Sequence, residues 1–278
     1  MQQPTDGPQQ FYDEYGHDEW DRLETGIDGR LEFEETISAL EAGLPESGHV
    51  LDAGCGAGRY AVWLAERGYE VIALDLSQRQ VEMARRHAAE RGVESKVSVF
   101  QGSITDLPLP ADRFDATCCL GGALSHVLDD GERVRAVEEL RRITAPEAPL
   151  FVSVMGLLGA VQLYALSGSY LEALPELLEH GDYDAELLEK HGYEMVFTDT
   201  HFFRREEFAG LLTDAGVSVG EVVGLEGLGS PFHDADLRDV LADRSESERA
   251  ALERAIGMTN EDPAVADISV HMLAIGQA

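Results

Sequence analysis

The chain has 278 residues, of which 44% are hydrophobic, so it can bury a full core in one large domain or in two smaller ones. Acidic side chains outnumber basic ones by 53 to 21, and the formal net charge is −32. We expect these carboxylates to form a hydrated surface that resembles the surfaces of proteins from salt-loving organisms, rather than a site for basic partners. Nucleic-acid binding is disfavoured because it requires clustered Lys and Arg.

The composition also argues against export, a membrane span and a metal. The first ten residues are polar and are expected to be disordered, and they contain no apolar signal core, which favours a cytoplasmic location. The uncharged stretch Ala148–Tyr170 is long enough to span a bilayer, but Gly156 and Gly159 interrupt it, and it equally suits the seam of a homodimer. Three cysteines cannot form a disulfide framework, and no Cys/His spacing is typical of zinc, so no metal is predicted.

Short apolar runs alternate with amphipathic segments from His49 onward. The predicted strands are His49–Ala53, Val71–Leu74, Val97–Phe100, Phe114–Leu120, Leu150–Met155, Val217–Val223 and Ile268–Ile275. The predicted helices among them are Arg59–Arg67, one opened by Ser77, Glu132–Ile143, Arg205–Thr213, and one opened by Ser245 and ending at Ile256. This alternation predicts an α/β fold with a doubly wound, mostly parallel sheet.

The organisation around that sheet follows from where the alternation begins and breaks. Residues 1–45 are predicted to form an N-terminal helical cap, and residues 46–155 a cofactor-binding core. Residues 156–203 contain helical patterns and no clear strand, which predicts a helical lid inserted after the fifth strand. Residues 204–278 are predicted to complete the sheet.

The strongest functional signal is the glycine-rich turn after the first strand. Glycines at 54, 56 and 58 remove side chains where a ligand can approach the backbone at the start of a helix, and Asp52 precedes them. Asp75, at the tip of the next strand, is placed to accept hydrogen bonds from two ribose hydroxyls. A turn and an acid of this kind suit either a nicotinamide dinucleotide or S-adenosylmethionine.

The spacing G-x-G-x-G, with an acid before it, resembles motif I of the class I S-adenosylmethionine-dependent methyltransferases, whereas nicotinamide folds favour G-x-G-x-x-G. Residues 102–108 and 114–116 resemble the segment of that family that contacts adenine and its fourth strand, and the last two predicted strands resemble its antiparallel closing pair. The resemblance implies a seven-stranded sheet, S-adenosylmethionine as cofactor and a small-molecule methyl acceptor. The cofactor contacts that it implies are Asp52, Gly54, Cys55, Gly56, Gly58, Arg59, Asp75, Leu76, Ser103, Ile104, Leu120, Tyr15 and Trp20.

The substrate side is less defined by the sequence. His126, after the fourth strand, is the candidate for a residue that deprotonates or orients the acceptor. Cys118 and Cys119 lie within that strand and are expected to be packed rather than nucleophilic. Two alternatives stay open at this point: a nicotinamide-dependent oxidoreductase, and a protein that binds S-adenosylmethionine without catalysing methyl transfer.

Overall fold

The computed structural model describes residues 7–15 and 18–278. The strands in these ranges are β1 His49–Ala53, β2 Glu70–Asp75, β3 Val97–Gln101, β4 Ala116–Cys119, β5 Pro149–Met155, β6 Asp182–Tyr183, β7 Thr200–His201, β8 Ser218–Gly224 and β9 His271–Gln277. Seven of them form one sheet in the order β3-β2-β1-β4-β5-β9-β8, and β6 pairs only with β7.

The helices in the same ranges are α1 Pro8–Tyr15, α2 Asp18–Arg22, α3 Gly26–Gly43, α4 Arg59–Glu66, α5 Gln78–Glu90, α6 Asp130–Ile143, α7 Leu157–Ser167, α8 Leu174–His180, α9 Ala185–Lys190, α10 Arg205–Asp214, α11 Ala235–Ala242, α12 Glu246–Gly257 and α13 Pro263–Ile268. Short 3-10 helices span Ala123–His126 and Gly227–His233. None of the helices described is long and apolar enough to cross a bilayer.

The sheet confirms the predicted doubly wound, mostly parallel fold. Strands β1 to β5 run parallel to one another, while β9 runs antiparallel to both β5 and β8. Every residue of β4 is buried, as expected of a parallel strand covered by helices on both faces. Separate apolar clusters fill the two sides of the sheet, so the strands carry a core on each face.

The two predicted helix starts are confirmed by their capping contacts. The hydroxyl of Ser77 accepts a hydrogen bond from the Gln80 amide at 3.1 Å. Ser245 and Glu248 form a reciprocal capping box at the start of α12. In both places the hydroxyl satisfies an amide that the first turn of a helix leaves without an intrahelical partner.

Three sequence-based expectations are wrong. Residues 8–10 lie in α1 rather than in a disordered segment, and residues 1–6 lie outside the described ranges. The last strand begins at His271, because the Asp262 cap and the fixed backbone of Pro263 start helix α13, which ends at Ile268. The segment 156–203 contains a strand pair, β6–β7, in addition to its helices.

Helix α4 begins so close to α5 that only glycine fits at the junction. Gly58 has a φ of 86°, and a Cβ there would lie 2.8 Å from the Cβ of Ala84. Gly92 also has a positive φ, 70°, but a Cβ there would meet nothing within 4 Å. Replacing each glycine by alanine therefore separates two contributions to stability. Both replacements strain the left-handed backbone, but only the one at Gly58 also creates a close contact.

We expect Gly58→Ala to lower the free energy of unfolding by about 2–4 kcal/mol, since backbone strain adds to overpacking. Gly92→Ala should lower the free energy of unfolding by only about 1–2 kcal/mol, because it introduces backbone strain alone. Denaturant titration of both variants measures the difference. Equal losses would show that the contact with Ala84 imposes no constraint.

Candidate cofactor site and adjoining cavity

A cavity opens at the edge of the sheet where the parallel strands end. Strands β2 and β4 lie on either side of β1, so the connections that leave β1 and β4 diverge and create a crevice at this edge. The cavity and the open space at its mouth together amount to about 940 Å³. Its wall combines the turn after β1 with the ends of β2, β3 and β4.

The glycine turn presents bare backbone to this cavity. Gly54 and Gly56 adopt positive φ values of 77° and 50°. A Cβ on Gly54 would lie 2.4 Å from the Cβ of Ala123, so the turn and the segment after β4 approach closely only because that side chain is missing. The amides of Gly54 and Cys55 donate to the Leu74 carbonyl at 2.8 and 2.9 Å, which anchors the turn on β2.

The Asp75 carboxylate connects this turn with the next helix. One oxygen accepts a hydrogen bond from the Gly56 amide at 2.8 Å, and the other accepts one from the Ser77 amide at 2.9 Å. Asp75 lines the cavity together with Leu76, whose side chain is largely exposed beside it. The geometry places a carboxylate and an apolar surface side by side at the tip of β2.

Asp52 lies beneath the turn rather than in the cavity wall. It is 1% exposed, and neither carboxylate oxygen has a hydrogen bond of ordinary length and angle to the described residues. Burial, and next the negative charge of Asp75, raise the pKa of Asp52 to about 7. An acid held in this way costs folding free energy, a feature typical of ligand-binding sites.

Helix α1 covers one side of the cavity. The Asp13 carboxylate accepts a hydrogen bond from the Ser77 hydroxyl at 2.5 Å, and the Gln80 side-chain amide donates to the Tyr12 carbonyl at 3.2 Å. These contacts dock α1 on the N-terminal end of α5. Three α1 residues consequently join the cavity wall: Pro8, Gln9 and Tyr12.

The structure brings together most of the site residues predicted from the sequence. Those that line the cavity are Gly54, Cys55, Gly56, Arg59, Asp75, Leu76, Ser103, Ile104, Leu120 and His126. The Ser103 hydroxyl also lies 2.9 Å from that of Thr105 and accepts a hydrogen bond from the Thr105 amide.

Four predicted cofactor contacts lie outside the cavity wall: Asp52, Gly58, Tyr15 and Trp20. Gly58 is turned toward α5. The Trp20 ring packs against that of His87, with centroids 3.8 Å apart, and the Arg59 guanidinium lies over it at 4.8 Å. Trp20 therefore holds Arg59 in place. Tyr15 lines an adjoining cavity instead.

His126 is half-buried, and both of its ring nitrogens are hydrogen-bonded. Its Nδ1 lies 2.9 Å from the Asp199 carbonyl oxygen, which can only accept, so Nδ1 carries the proton. Its Nε2 then accepts from the Tyr12 hydroxyl at 2.9 Å. Burial lowers the pKa of His126 to about 4, although the bond to Asp199 opposes the shift, so the ring is neutral near pH 7.

The cysteines match the expectation of packed thiols. Cys55, Cys118 and Cys119 are all buried. Burial, and next the negative charge of Asp52, raise the pKa of each thiol, to about 12 for Cys119. These thiols are protonated near pH 7, and a protonated thiol is a poor nucleophile.

A second cavity adjoins the first, and Tyr12 and Gly121 line both. Together with the open space at its mouth it amounts to about 870 Å³, and α7 and the residues near β7 supply much of its wall. Its lining residues are Tyr12, Tyr15, Arg22, Gly121, Met155, Ala160, Leu163, Tyr164, Phe197, Phe202, His233, Val270 and His271. Aromatic and aliphatic side chains predominate among them.

Buried charge pairs lie against this second cavity. Arg22 forms an ion pair with Glu32, and His271 Nδ1 lies 2.5 Å from a Glu226 oxygen. Burial disfavours the imidazolium, but the carboxylates of Glu32 and Glu226 outweigh it and raise the pKa of His271. Burial likewise opposes the ionised form of Glu226, but the neighbouring histidines, His271 first, hold its pKa well below the usual range.

The second cavity could be predicted from the sequence only in part: apolar side chains of the inserted segment, Leu163 and Tyr164 among them, indicate a pocket that is at least partly apolar, and these two line the cavity. Phe197, His233 and His271 are far apart in the chain and belong to no local motif, so only the folded arrangement brings them together. Tyr12 could have been chosen as a candidate site residue from the sequence, because it belongs to the same aromatic segment as the candidate Tyr15. Nothing in the sequence distinguished the two tyrosines.

The fold and the first cavity define a protein that binds a nucleoside cofactor at the carboxyl edge of a doubly wound sheet. A family model described as a methyltransferase domain matches residues 50–147. The chain is 32% identical to the ubiquinone biosynthesis O-methyltransferase of Xanthomonas axonopodis over 184 residues, which cover 65% of this chain and 67% of that protein. It is 31% identical to the methyltransferase GfsG of Streptomyces halstedii over 155 residues, which span only 54% of either chain.

A structural neighbour has the same fold. A crystal structure of a S-adenosylmethionine-dependent methyltransferase from Methanosarcina mazei superposes with a TM-score of 0.58 at 22% identity, covering 86% of this chain and 95% of that one. The chain belongs to the class I S-adenosylmethionine-dependent methyltransferases. The nicotinamide alternative is therefore set aside, and the antiparallel strand β9 agrees with the closing pair expected of the methyltransferase sheet.

The first cavity fits S-adenosylmethionine, the cofactor of this family. The turn at Gly54 and Gly56 leaves room beside the backbone, Asp75 stands at the tip of β2, and the buried acid Asp52 lies below them. A buried carboxyl group close to the turn suits a site that receives a positively charged ligand.

The raised pKa of Asp52 predicts that the stability of the folded protein depends on pH. Between the pKa of the unfolded chain, near 4, and that of the folded protein, about 7, the folded state binds more protons, so stability falls as pH rises through this window. Asp52→Asn removes the effect. We expect its stability gain over the wild type to grow by about 2–3 kcal/mol between pH 5 and pH 8.

Denaturant titrations of the cofactor-free protein at the two pH values measure this gain. Asp106→Asn, which changes an exposed carboxyl near the same edge of the sheet, is the matched control and should show a constant difference from the wild type. A gain for Asp52→Asn that does not depend on pH would show that the acid ionises normally.

Proposed function

We propose that this protein transfers a methyl group from S-adenosylmethionine to a small molecule bound in the second cavity. The observation that carries the proposal is the contact between the two cavities, which share Tyr12 and Gly121. An acceptor that fills the second cavity lies next to the cofactor without crossing solvent. The aromatic and aliphatic wall favours an acceptor with an apolar body.

Different residues of the first cavity would contact different parts of the cofactor. Asp75 would accept hydrogen bonds from the ribose hydroxyls, Ser103 and Ile104 would contact adenine, and the turn at Gly54 and Gly56 would receive the methionine portion. The bound sulfonium supplies an electrophilic methyl group. The protein then needs mainly to align the acceptor and exclude water.

His126 would act as a positioning residue rather than as a base. Its low pKa makes the neutral ring a weak proton acceptor, while its two hydrogen bonds fix the Tyr12 hydroxyl at the junction of the cavities. Tyr12 would in turn orient the acceptor toward the cofactor. This departs from the base role considered for His126 from the sequence.

Several properties expected from the sequence remain predictions. They are the cytoplasmic location, a homodimer, the salt-adapted surface, the exclusion of nucleic acid and the division into four segments. Binding of the cofactor without turnover is the second candidate, and the assays below distinguish it.

Filling the second cavity should stop methyl transfer without affecting the cofactor. Leu163, on α7, lines that cavity, whereas Leu166, three residues further along the helix, does not line it and is 51% exposed. We expect Leu163→Trp to lower methyl transfer by about tenfold or more, because the larger ring occupies acceptor space. Leu166→Trp, the matched control, should retain it.

The assay follows label from methyl-labelled S-adenosylmethionine into a protein-free metabolite extract, with S-adenosylhomocysteine affinity measured in parallel. Equal rates in the two variants would place the acceptor elsewhere. Tight cofactor binding with no transfer by the wild type would support the non-catalytic candidate.

The positioning role of His126 predicts a particular pH profile. We expect His126→Asn and Tyr12→Phe to lower kcat by a similar factor, about 10-fold, because the first change releases the Tyr12 hydroxyl from its hydrogen bond and the second removes that hydroxyl. The shape of the kcat profile against pH should be the same in His126→Asn as in the wild type. A base role would instead remove the acidic limb of that profile in the variant.

A further inference from the structure

The described wall of the second cavity contains nitrogen donors and no carboxyl group. Among the described residues of that wall, the ionisable groups are the tyrosines at 12, 15 and 164 together with Arg22, His233 and His271, and none is a carboxyl. The chain as a whole carries 53 acidic and only 21 basic side chains. A cavity with nitrogen donors and no carboxyl group in its described wall therefore differs in character from the protein surface.

The buried carboxylates of Glu32, Glu226 and Asp28 lie behind these donors. His233 faces two of them, with its Nδ1 3.5 Å from an Asp28 oxygen and its Nε2 3.4 Å from a Glu226 oxygen. Glu32, which pairs with Arg22, has a side chain 1% exposed, and Glu226, which pairs with His271, has one that is 0% exposed. Neither lines the cavity. The donors are thus held in place from behind, and charged hydrogen-bond donors arranged in this way suit a carboxylate ligand.

The donor Arg22 lies close to the place where the two cavities meet. A Cβ on Gly121, which lines both cavities, would be 3.9 Å from Nη2 of Arg22. The rings of His233 and His271 lie further along, with centroids 6.0 Å apart. An anionic group at this end of the cavity would leave the remainder of the acceptor against Met155, Leu163 and the aromatic wall.

We propose that the second cavity binds the carboxylate of the methyl acceptor through Arg22, His233 and His271, so that the acceptor is an aromatic or aliphatic carboxylic acid. This inference rests on the proposed function, because it assigns the occupant of the proposed acceptor cavity. The carboxylate is either the anchor of a molecule methylated elsewhere or the methylated group itself. The product, an ester or another methyl derivative, distinguishes these two cases.

A divalent cation is the competing occupant. Glu226, His233 and His271 offer ligand atoms within 4.8 Å of one another. However, one Glu226 oxygen already accepts from the Ser269 hydroxyl and from the His271 amide, each at 2.8 Å. The other accepts from His271 Nδ1, so Glu226 acts as an acceptor that orients the histidine. This arrangement favours the carboxylate.

The test measures binding to the complex with S-adenosylhomocysteine. Calorimetry compares cinnamate with cinnamamide and octanoate with octanamide, in buffer with and without a chelator. We expect at least one acid to bind about 10-fold more tightly than its amide, as hydrogen bonds to a charged group allow. Chelation should leave the preference unchanged.

Variants identify the donors. Arg22→Gln and His233→Gln should each reduce the preference for the acid to about threefold or less. The Arg22 side chain is 25% exposed and that of His233 is 18% exposed, and because they belong to different elements, either variant serves if the other fails to fold. His180→Gln, on exposed α8 surface outside the wall, is the control and should keep the full preference.

The outcomes separate the two proposals. A protein that does not bind S-adenosylhomocysteine contradicts the proposed function itself. A protein that binds it but prefers neither acid over its amide contradicts only the carboxylate site. The same holds if the preference survives in both Arg22→Gln and His233→Gln, or if it disappears with the chelator, which would identify a metal site.

Discussion

The hydrogen bonds of the Asp75 carboxylate hold the site together. Asp75 fixes the turn through the Gly56 amide and the start of α5 through the Ser77 amide. The Ser77 hydroxyl then donates to Asp13 on α1, so the helix that covers the cavity is attached to the same point. Turn, carboxylate and cover are one connected unit at the end of β2. A site built on strand ends in this way keeps its geometry because the strands are buried and rigid.

The distribution of charge separates surface from site. A surface with a large excess of carboxylates stays hydrated, and it does so at a distance from the reacting groups. Beneath that surface the second cavity is lined by donors whose carboxylate partners are buried. Buried pairs of this kind add little net stability, because desolvation offsets their attraction. Their retention next to the cavity fits a role in holding Arg22 and His271 in place. Asp52 similarly costs folding free energy where it lies below the cofactor turn.

Much of the fold could be predicted because its signals are local. Parallel strands appear as apolar runs, helix starts at Ser77 and Ser245 appear as capping patterns, and the glycine turn needs a fixed spacing. The errors also had local causes. The predicted last strand began at Ile268, which is the final residue of the helix that Asp262 and Pro263 start, and Pro8 begins a helix in a segment whose polarity had suggested disorder. In the site, ten predicted residues line the first cavity, but Gly58 and Trp20 support it from behind.

The sequence by itself determined the sheet, the cofactor turn and the acid at the tip of β2, since each depends on residues close together in the chain. Only the tertiary structure decided which of the predicted side chains line the first cavity and which residues form the second cavity. Its wall joins Tyr12 of α1, Phe197 of the inserted segment and His271 of β9. No periodicity connects positions so far apart, because their proximity results from the packing of helices on a finished sheet. The role of His126 likewise depended on burial and on Tyr12, which its sequence neighbours do not reveal.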